Sequence, residues 1–345
     1  MNEKIAAEYR KKLTGAKAAI GKIPQGKRIF VGSFCSEPQH LVSVLLQNTE
    51  KFFDIELIRF LNLEGSLMGL TADETKGRSY HVRSIYQGSG MLTGLSSTKR
   101  FLTPMNFFMV PSLFSKRHIP LHYALVQVAP PDDFGWMNLG VSVDITLAAA
   151  QAADVVIAQV NSQMPRVPGY GMLHIDEVDF LVEKDEELLT TYPLPDLPGW
   201  ENIAKFVSNL VEDAATVHVS PGIPPELIVA ALGQKNDLGV HCQFLLDSIH
   251  ALHGRGVVTN RKKGYNDGKM VASGAIGSNE LYRFLDQNPA VELRPSDYVS
   301  NPRIISNHHK MTAIHLATQI DLKGQVAADG IPQNHYADVA GMVDF

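Results

Sequence analysis

The chain has 345 residues, 45% apolar and 19% charged, a composition too rich in core-forming side chains for a disordered segment or a coiled coil and long enough for two α/β-sized domains. Thirty-one basic against 36 acidic residues leave a formal charge of −5, so there is no global positive field to gather nucleic acid or anionic lipid. Two cysteines, Cys35 and Cys242, exclude a disulfide scaffold or a four-cysteine zinc site and fit a reducing, cytoplasmic compartment; no apolar run approaches the roughly 18 residues of a membrane span.

The locally basic opening, Glu3 to Ile20, spaces Ile5, Tyr9, Leu13, Ala16 and Ile20 as one face of a solvated amphipathic helix. It lacks the apolar stretch of a signal peptide. Arg28-Ile29-Phe30-Val31-Gly32 reads as a buried strand ending at glycine. A helix over Leu41–Gln47, strands at Leu125–Val128 and Asp154–Val160, and a helix from Ile145 to Ala153 between them give the alternation of a parallel sheet covered on both faces. The three prolines between Thr191 and Trp200 can continue neither a helix nor a central strand. The domain boundary is therefore expected there: residues 1–190 as one domain, 191–200 as a linker and 201–345 as a second. The pattern then restarts with a helix near Asn202–Ala214, a strand at Thr216–Val219, a turn at Ser220-Pro221-Gly222, a helix after Pro224 and a strand Gly239–Phe244.

Generic catalytic signatures are absent: no Gly-x-Ser-x-Gly elbow, no His-Glu-x-x-His and no phosphate loop ending Gly-Lys-Ser/Thr. Gly88-Ser89-Gly90 lacks the third glycine of a dinucleotide fingerprint and reads as a flexible loop. His308 and His309 are adjacent, which on regular structure points them apart, so no metal site is expected.

The specific signal lies in long segments. They include Val31-Gly32-Ser33 through Glu37-Pro38, Gly140-Val141-Ser142-Val143-Asp144, Val160-Asn161-Ser162-Gln163-Met164-Pro165, Gly222-Ile223-Pro224, Leu238-Gly239-Val240-His241, Gly256-Val257-Val258-Thr259-Asn260, Leu281-Tyr282-Arg283-Phe284 and Gly341-Met342-Val343-Asp344-Phe345. Taken in order over essentially the whole chain, they resemble the acetyl-CoA hydrolase/transferase family, which includes acetate and 4-hydroxybutyrate CoA-transferases. The resemblance implies an α/β fold: two CoA-transferase-like domains with mainly parallel sheets, a CoA thioester as substrate, a carboxylate acceptor and no metal. It places Gly222, Ile223, Pro224, Gly277 and Gly341 against the coenzyme A moiety.

In that family a glutamate attacks the acyl-CoA carbonyl and is then converted to a glutamyl-CoA thioester, chemistry that needs an anionic oxygen beside donors for the oxyanion. The stretch that carries it reads Gly239-Val240-His241-Cys242-Gln243-Phe244-Leu245-Leu246-Asp247, with Gln243 where the glutamate belongs. An amide whose lone pair is delocalised cannot sustain a covalent relay. The expectation is a re-tasked site, by transfer, hydrolysis, decarboxylation or acyl transfer, in which Gln243 polarises the carbonyl and Cys242 or His241 offers a reactive group. A non-catalytic CoA-binding or structural subunit is the alternative.

On a continuous strand His241 and Gln243 would share the ligand side while Val240 and Cys242 face the core. Asp247 reads as a cap of its own helix, and Arg261, Lys262 and Lys263 as a solvated basic loop, with the CoA phosphates as their other possible partner. Gln159 also stands where the family often has glutamate. Relatives run on past the Val-Asp-Phe motif, so the second domain is expected to lack its usual C-terminal part. That implies an oligomer in which a second polypeptide completes the fold.

Overall fold

A computed structural model describes residues 2–32, 34–47, 53–60, 79–85, 100–103, 105–191, 198–220, 223–317, 319–328, 330–331, 334–335 and 342–345. The chain divides into two compact units: Met1–Met105, Met109–Arg166 and Gly171–Leu189 form the first, and Asn106–Phe108, Val167–Tyr170 and Thr190–Phe345 the second.

In the first unit the described strands are β1 (Arg28–Val31), β2 (Phe53–Arg59), β3 (Ser79–Ser84), β4 (Arg100–Leu102), β5 (Tyr123–Val128), β6 (Trp136–Asn138), β7 (Val155–Val160), β8 (Met172–His174) and β9 (Phe180–Glu183). Seven of them form one parallel sheet in the order β4-β3-β2-β1-β5-β7-β9, while β6 and β8 pair antiparallel. The near-continuous apolar runs of β5 and β7 are buried throughout their interiors, as a strand covered on both faces requires. Helix Gln39–Gln47 lays Leu41, Val42 and Leu45 against Ile29, Val31, Leu57 and Leu125 in the same core. Each such side chain contributes about 1.5–3 kcal/mol when fully buried.

The single opening helix expected from spacing is two helices, Glu3–Lys12 and Ala16–Ile20. Between them Leu13 bridges to Leu181 and the Thr14 N–H donates to the Leu181 carbonyl (2.9 Å). The apolar stripe continues across the break because both helices lean on the same β9 edge, so periodicity alone did not reveal the interruption.

The second unit contains β10 (Thr216–Val219), β11 (Gly239–Val240), β12 (Phe244–Leu245), β13 (Met270–Ala272), β14 (Gly274–Ala275), β15 (Val291–Leu293) and β16 (Thr312–Ile314). All their pairings are parallel: β16 and β11 flank β10, β12 pairs with β14, and β13 with β15. A parallel bridge between His241 and Val271 joins these pieces. The result is a kinked parallel layer in which the strand carrying residues 239–245 bends at Gln243, and its neighbour breaks at Ser273.

Both units are thus α/β with mainly parallel sheets. Of the residues expected to contact coenzyme A, Gly222 and Gly341 lie outside the described residues, and Ile223 and Pro224 open helix Ile223–Ala230, a position where proline's missing N–H is harmless.

Candidate active site

The predicted strand Gly239–Phe244 is not continuous. Val240 pairs with Val217 of β10, the His241 N–H still donates to the Val217 carbonyl (3.1 Å), and the Cys242 N–H turns instead to the Val271 carbonyl (3.1 Å). The Gln243 carbonyl then accepts from the N–H groups of Ser273 (2.9 Å) and Gly274 (3.2 Å). The chain thus changes hydrogen-bonding partner across Cys242 and Gln243. Val240, His241, Cys242 and Gln243 are all buried, because the layer is covered on both faces. β10 and β11 share register at Thr216–Gly239 and Val217–Val240, and β10 ends at Val219, shortly before helix Ile223–Ala230, while β12 and β14 form a further parallel pair beyond Gln243. Carboxyl ends of parallel strands at such a step are where open α/β layers hold ligands.

Cys242 is enclosed, its thiol donating to the Phe244 carbonyl (3.1 Å), and burial pushes its pKa up to about 12. A thiol in that state carries no thiolate near neutrality and is not an activated nucleophile. His241 directs Nε2 to the Val299 carbonyl (2.7 Å), and its Nδ1 has no hydrogen-bond partner among the described residues. Burial holds its pKa well below the usual imidazole range, with His308 and Lys263 adding to the effect. It is therefore a neutral imidazole pinned by a backbone carbonyl.

Three further histidines gather around it. The His308 ring centre is 4.2 Å from that of His241, and His218 and His315 are 4.9 Å apart. Phe345 stacks on His218 at 3.7 Å and 13°, held there by Asp344, whose carboxylate accepts the Phe107 N–H (2.9 Å). Ser220 Oγ contacts His315 Nδ1 at 2.7 Å. Neither ring nitrogen of His218 has a hydrogen-bond partner among the described residues. A buried, unsatisfied imidazole costs roughly 1–3 kcal/mol. Of the adjacent pair, His308 lies inside the cluster and His309 is exposed.

The basic loop also needs correction. Lys262 pairs with Asp237 (2.8 Å), but Lys263 is fully buried, its Nζ donating to the carbonyls of Val240 (2.8 Å) and Lys269 (2.7 Å). Burial lowers its pKa to about 7. It is a strut beneath the residue 240–243 segment and not a solvated side chain.

Asp247 does not cap its own helix, Asp247–Gly254, whose N-cap is Leu246. Its carboxylate accepts the Ser278 N–H (2.9 Å) and hydroxyl (2.7 Å), and so ties down the start of helix Asn279–Leu285. Gly277 is required by this contact: a Cβ there would meet Asp247 Oδ2 at 2.7 Å and Leu281 Cδ2 at 2.8 Å.

Beside Asp247 lies a residue that motif reading missed, Glu226, in the first turn of helix Ile223–Ala230 and only 7% exposed. Burial first, and then the neighbouring Asp247 charge, raise its pKa to about 7 against partial relief from hydrogen bonds to Ser248. Its only sequence signal is a carboxylate placed two residues after Ile-Pro in an otherwise apolar helix start. Gln159, in the first unit, takes a structural part: its Oε1 accepts the Leu41 N–H (3.3 Å) and its Nε2 donates to Glu186.

With the fold and this site in view, comparison with known proteins gives the class. The model of the acetyl-CoA hydrolase/transferase N-terminal domain matches residues 1–193, and that of the C-terminal domain residues 277–345. The chain belongs to the acetyl-CoA hydrolase/transferase family, a family of enzymes. It is 34% identical over 340 residues to the 4-hydroxybutyrate coenzyme A transferase of Clostridium kluyveri, a match covering 98% of this chain and 78% of that one. RipA from Yersinia pestis superposes with a TM-score of 0.92 at 29% identity, over 100% of this chain and 80% of that one. The 4-hydroxybutyrate CoA-transferase of Porphyromonas gingivalis gives 0.80 at 29% identity, over 93% and 77%.

Proposed function

We propose that this chain acts on acyl-CoA thioesters, with transfer of CoA to a carboxylate acceptor as its basic reaction, and that it does so without a carboxylate at position 243. The observation that carries this reading is Glu226 beside Asp247: a nearly enclosed carboxyl group at the carboxyl edge of the layer to which Gln243 belongs. Attack of the Glu226 carboxylate on the acyl carbonyl would break the C–S bond and release CoA thiolate. Return of the thiolate to the glutamyl carbonyl would expel the acyl group as its carboxylate and leave the enzyme–CoA thioester, which the acceptor then reverses. In this arrangement Gln243 and nearby backbone N–H groups hold the acyl oxygen.

Borohydride reduction after exposure to acyl-CoA, followed by peptide mass mapping, tests the reading. A reduced glutamyl residue at 226, together with exchange of CoA into acetate, is the expected result. Free CoA without an adduct would replace transfer by hydrolysis. No turnover, with CoA still bound, would favour a non-catalytic subunit. Gln243→Glu is a companion test: if position 243 lies where the attacking group acts, this variant gains a second reducible adduct at 243.

The proposal extends to assembly and location. Helix Trp200–Leu210 exposes Ile203 (43%), Phe206 (70%) and Leu210 (80%) along one stripe, an apolar surface of the kind that partner chains cover. Light scattering that shows only monomer would remove the oligomer from the reading. A cytoplasmic location fits the two reduced, buried cysteines. No helix among the described residues is long and apolar enough to cross a membrane.

A further inference from the structure

At the amino edge of the first unit's sheet, the end opposite to where open α/β sheets usually hold their ligands, lies a cavity of about 330 Å³. Its wall is charged. Lys27 and Arg28 come from the start of β1, Asp54 and Glu56 from β2, Arg83 from β3, and His122 from just before β5. Three basic and two acidic side chains leave a charge of +1 before the imidazoles of His122 and His81 are counted.

The donors in this cavity are held in place before any ligand arrives. Glu56 on β2 accepts Arg28 Nε (2.6 Å) and also Arg83 Nε, drawing in guanidinium groups from β1 and β3, the two strands that flank it. Arg28 Nη1 is fixed by the Pro120 carbonyl (3.1 Å) and Arg83 Nη1 by Thr103 Oγ1 (2.9 Å). His122 Nδ1 accepts the Arg28 N–H (3.0 Å), so its proton sits on Nε2, which is therefore a donor. The Lys27 ammonium has no hydrogen bond or ion pair to a described residue. At the mouth, β2 bulges between Phe53 and Ile55, and Asp54 takes a left-handed conformation (φ 57°), a strained choice for a non-glycine residue that clusters at ligand sites.

From this geometry we propose that the cavity is a binding site for a tetrahedral oxyanion, inorganic phosphate or the phosphoryl group of a small ester. The ammonium, guanidinium and imidazole donors reach the space from three strands, more directions than the two oxygens of a carboxylate can answer, whereas a phosphoryl group offers three or four. Asp54 at the rim suits a hydroxyl on the carrier of that group, and the volume fits a small molecule.

Isothermal titration of the intact protein with inorganic phosphate and with glycerol 3-phosphate tests this. Saturable one-to-one binding is expected, weakened about tenfold or more by Lys27→Glu, the loss that follows removal of one charge-assisted hydrogen bond. Lys17→Glu, on the exposed side of helix Ala16–Ile20, makes the same charge change away from the cavity and should leave binding intact. Tighter binding of the ester than of phosphate would assign the rim to the carrier, and equal binding would make free phosphate the ligand. The proposal is overturned by absence of saturable binding, by equal loss in both lysine variants, which would mean an adventitious ion only, or by acetate binding as tightly as phosphate. Acyl-CoA turnover in Lys27→Glu, at wild-type rate, shows that the variant is folded; Lys27→Ala serves if it is not.

Discussion

The Asp247 carboxylate takes both the N–H and the hydroxyl of Ser278, at 2.9 and 2.7 Å, across the gap between two parallel strand ends. One side chain thereby locks the starts of two helices and leaves no room for a side chain at Gly277. Gly277→Ala forces its methyl into that carboxylate and into Leu281, and overpacking of this kind costs about 1–3 kcal/mol. Urea unfolding should show a lower midpoint with an unchanged slope, and a variant as stable as wild type would mean that the Asp247 contact is not what dictates glycine.

Beside this lock lies Glu226, to which the proposed function assigns the chemistry. Its pKa near 7 means that the carboxylate becomes populated as pH rises through neutrality. If the ionised form is the reacting one, turnover of acyl-CoA rises from pH 6 to pH 8. Glu226→Gln removes that limb and lowers the rate by about 10²–10⁴-fold, the range for loss of a reacting acid–base group, while Glu226→Asp retains a shifted limb. A pH profile of the same shape in Glu226→Gln would clear this residue of any reactive part.

Lys263 predicts a stability effect of definite sign. Its pKa falls from 10.5 in the unfolded chain to about 7 in the fold, so between those values the unfolded chain holds more protons and stability rises with pH. The effect amounts to at most about 1.4 kcal/mol per pH unit over that window. Denaturant titrations at pH 7, 8 and 9 should show wild type gaining on Lys263→Met at each step. A constant difference between the two would mean that the ammonium stays charged in the fold.

The histidine cluster predicts the acid limb. His218 and His241 are held well below the usual range by burial, and His308 is lowered to about 4. Below the unfolded value near 6.5 the unfolded chain takes up protons that the fold refuses, so stability present at neutral pH is lost as pH falls through 6.5 toward 4. Melting temperatures measured at pH 7, 6 and 5 should fall steadily. His308→Phe, which keeps an aromatic ring beside His241 and Tyr265, should flatten the decline.

Much of this was legible in the chain itself. The strands beginning at Arg28, Tyr123, Val155 and Thr216 announce themselves because a strand buried on both faces must be apolar along its length. The family could be read from segments such as Val160–Pro165, whose Asn161 side chain ties Gln127 to the Glu186 carbonyl. Such knots tolerate few alternatives and so leave a local imprint. Gln243 draws notice only through the resemblance, which implies a glutamate in that stretch.

Other features left no local mark. Nothing in Arg261-Lys262-Lys263 distinguishes the solvated Lys262 from the enclosed Lys263, and Glu226 looks like any acidic residue in a first helical turn. Their states depend on which segments pack over them, and those segments, around Val240, Lys269 and Asp247, are distant or unmarked in sequence. Pattern and motif determined the layers and the family, because periodic burial and backbone geometry are encoded residue by residue. Tertiary structure alone decided which charges are withdrawn from water, because desolvation is a property of the surroundings and not of the side chain.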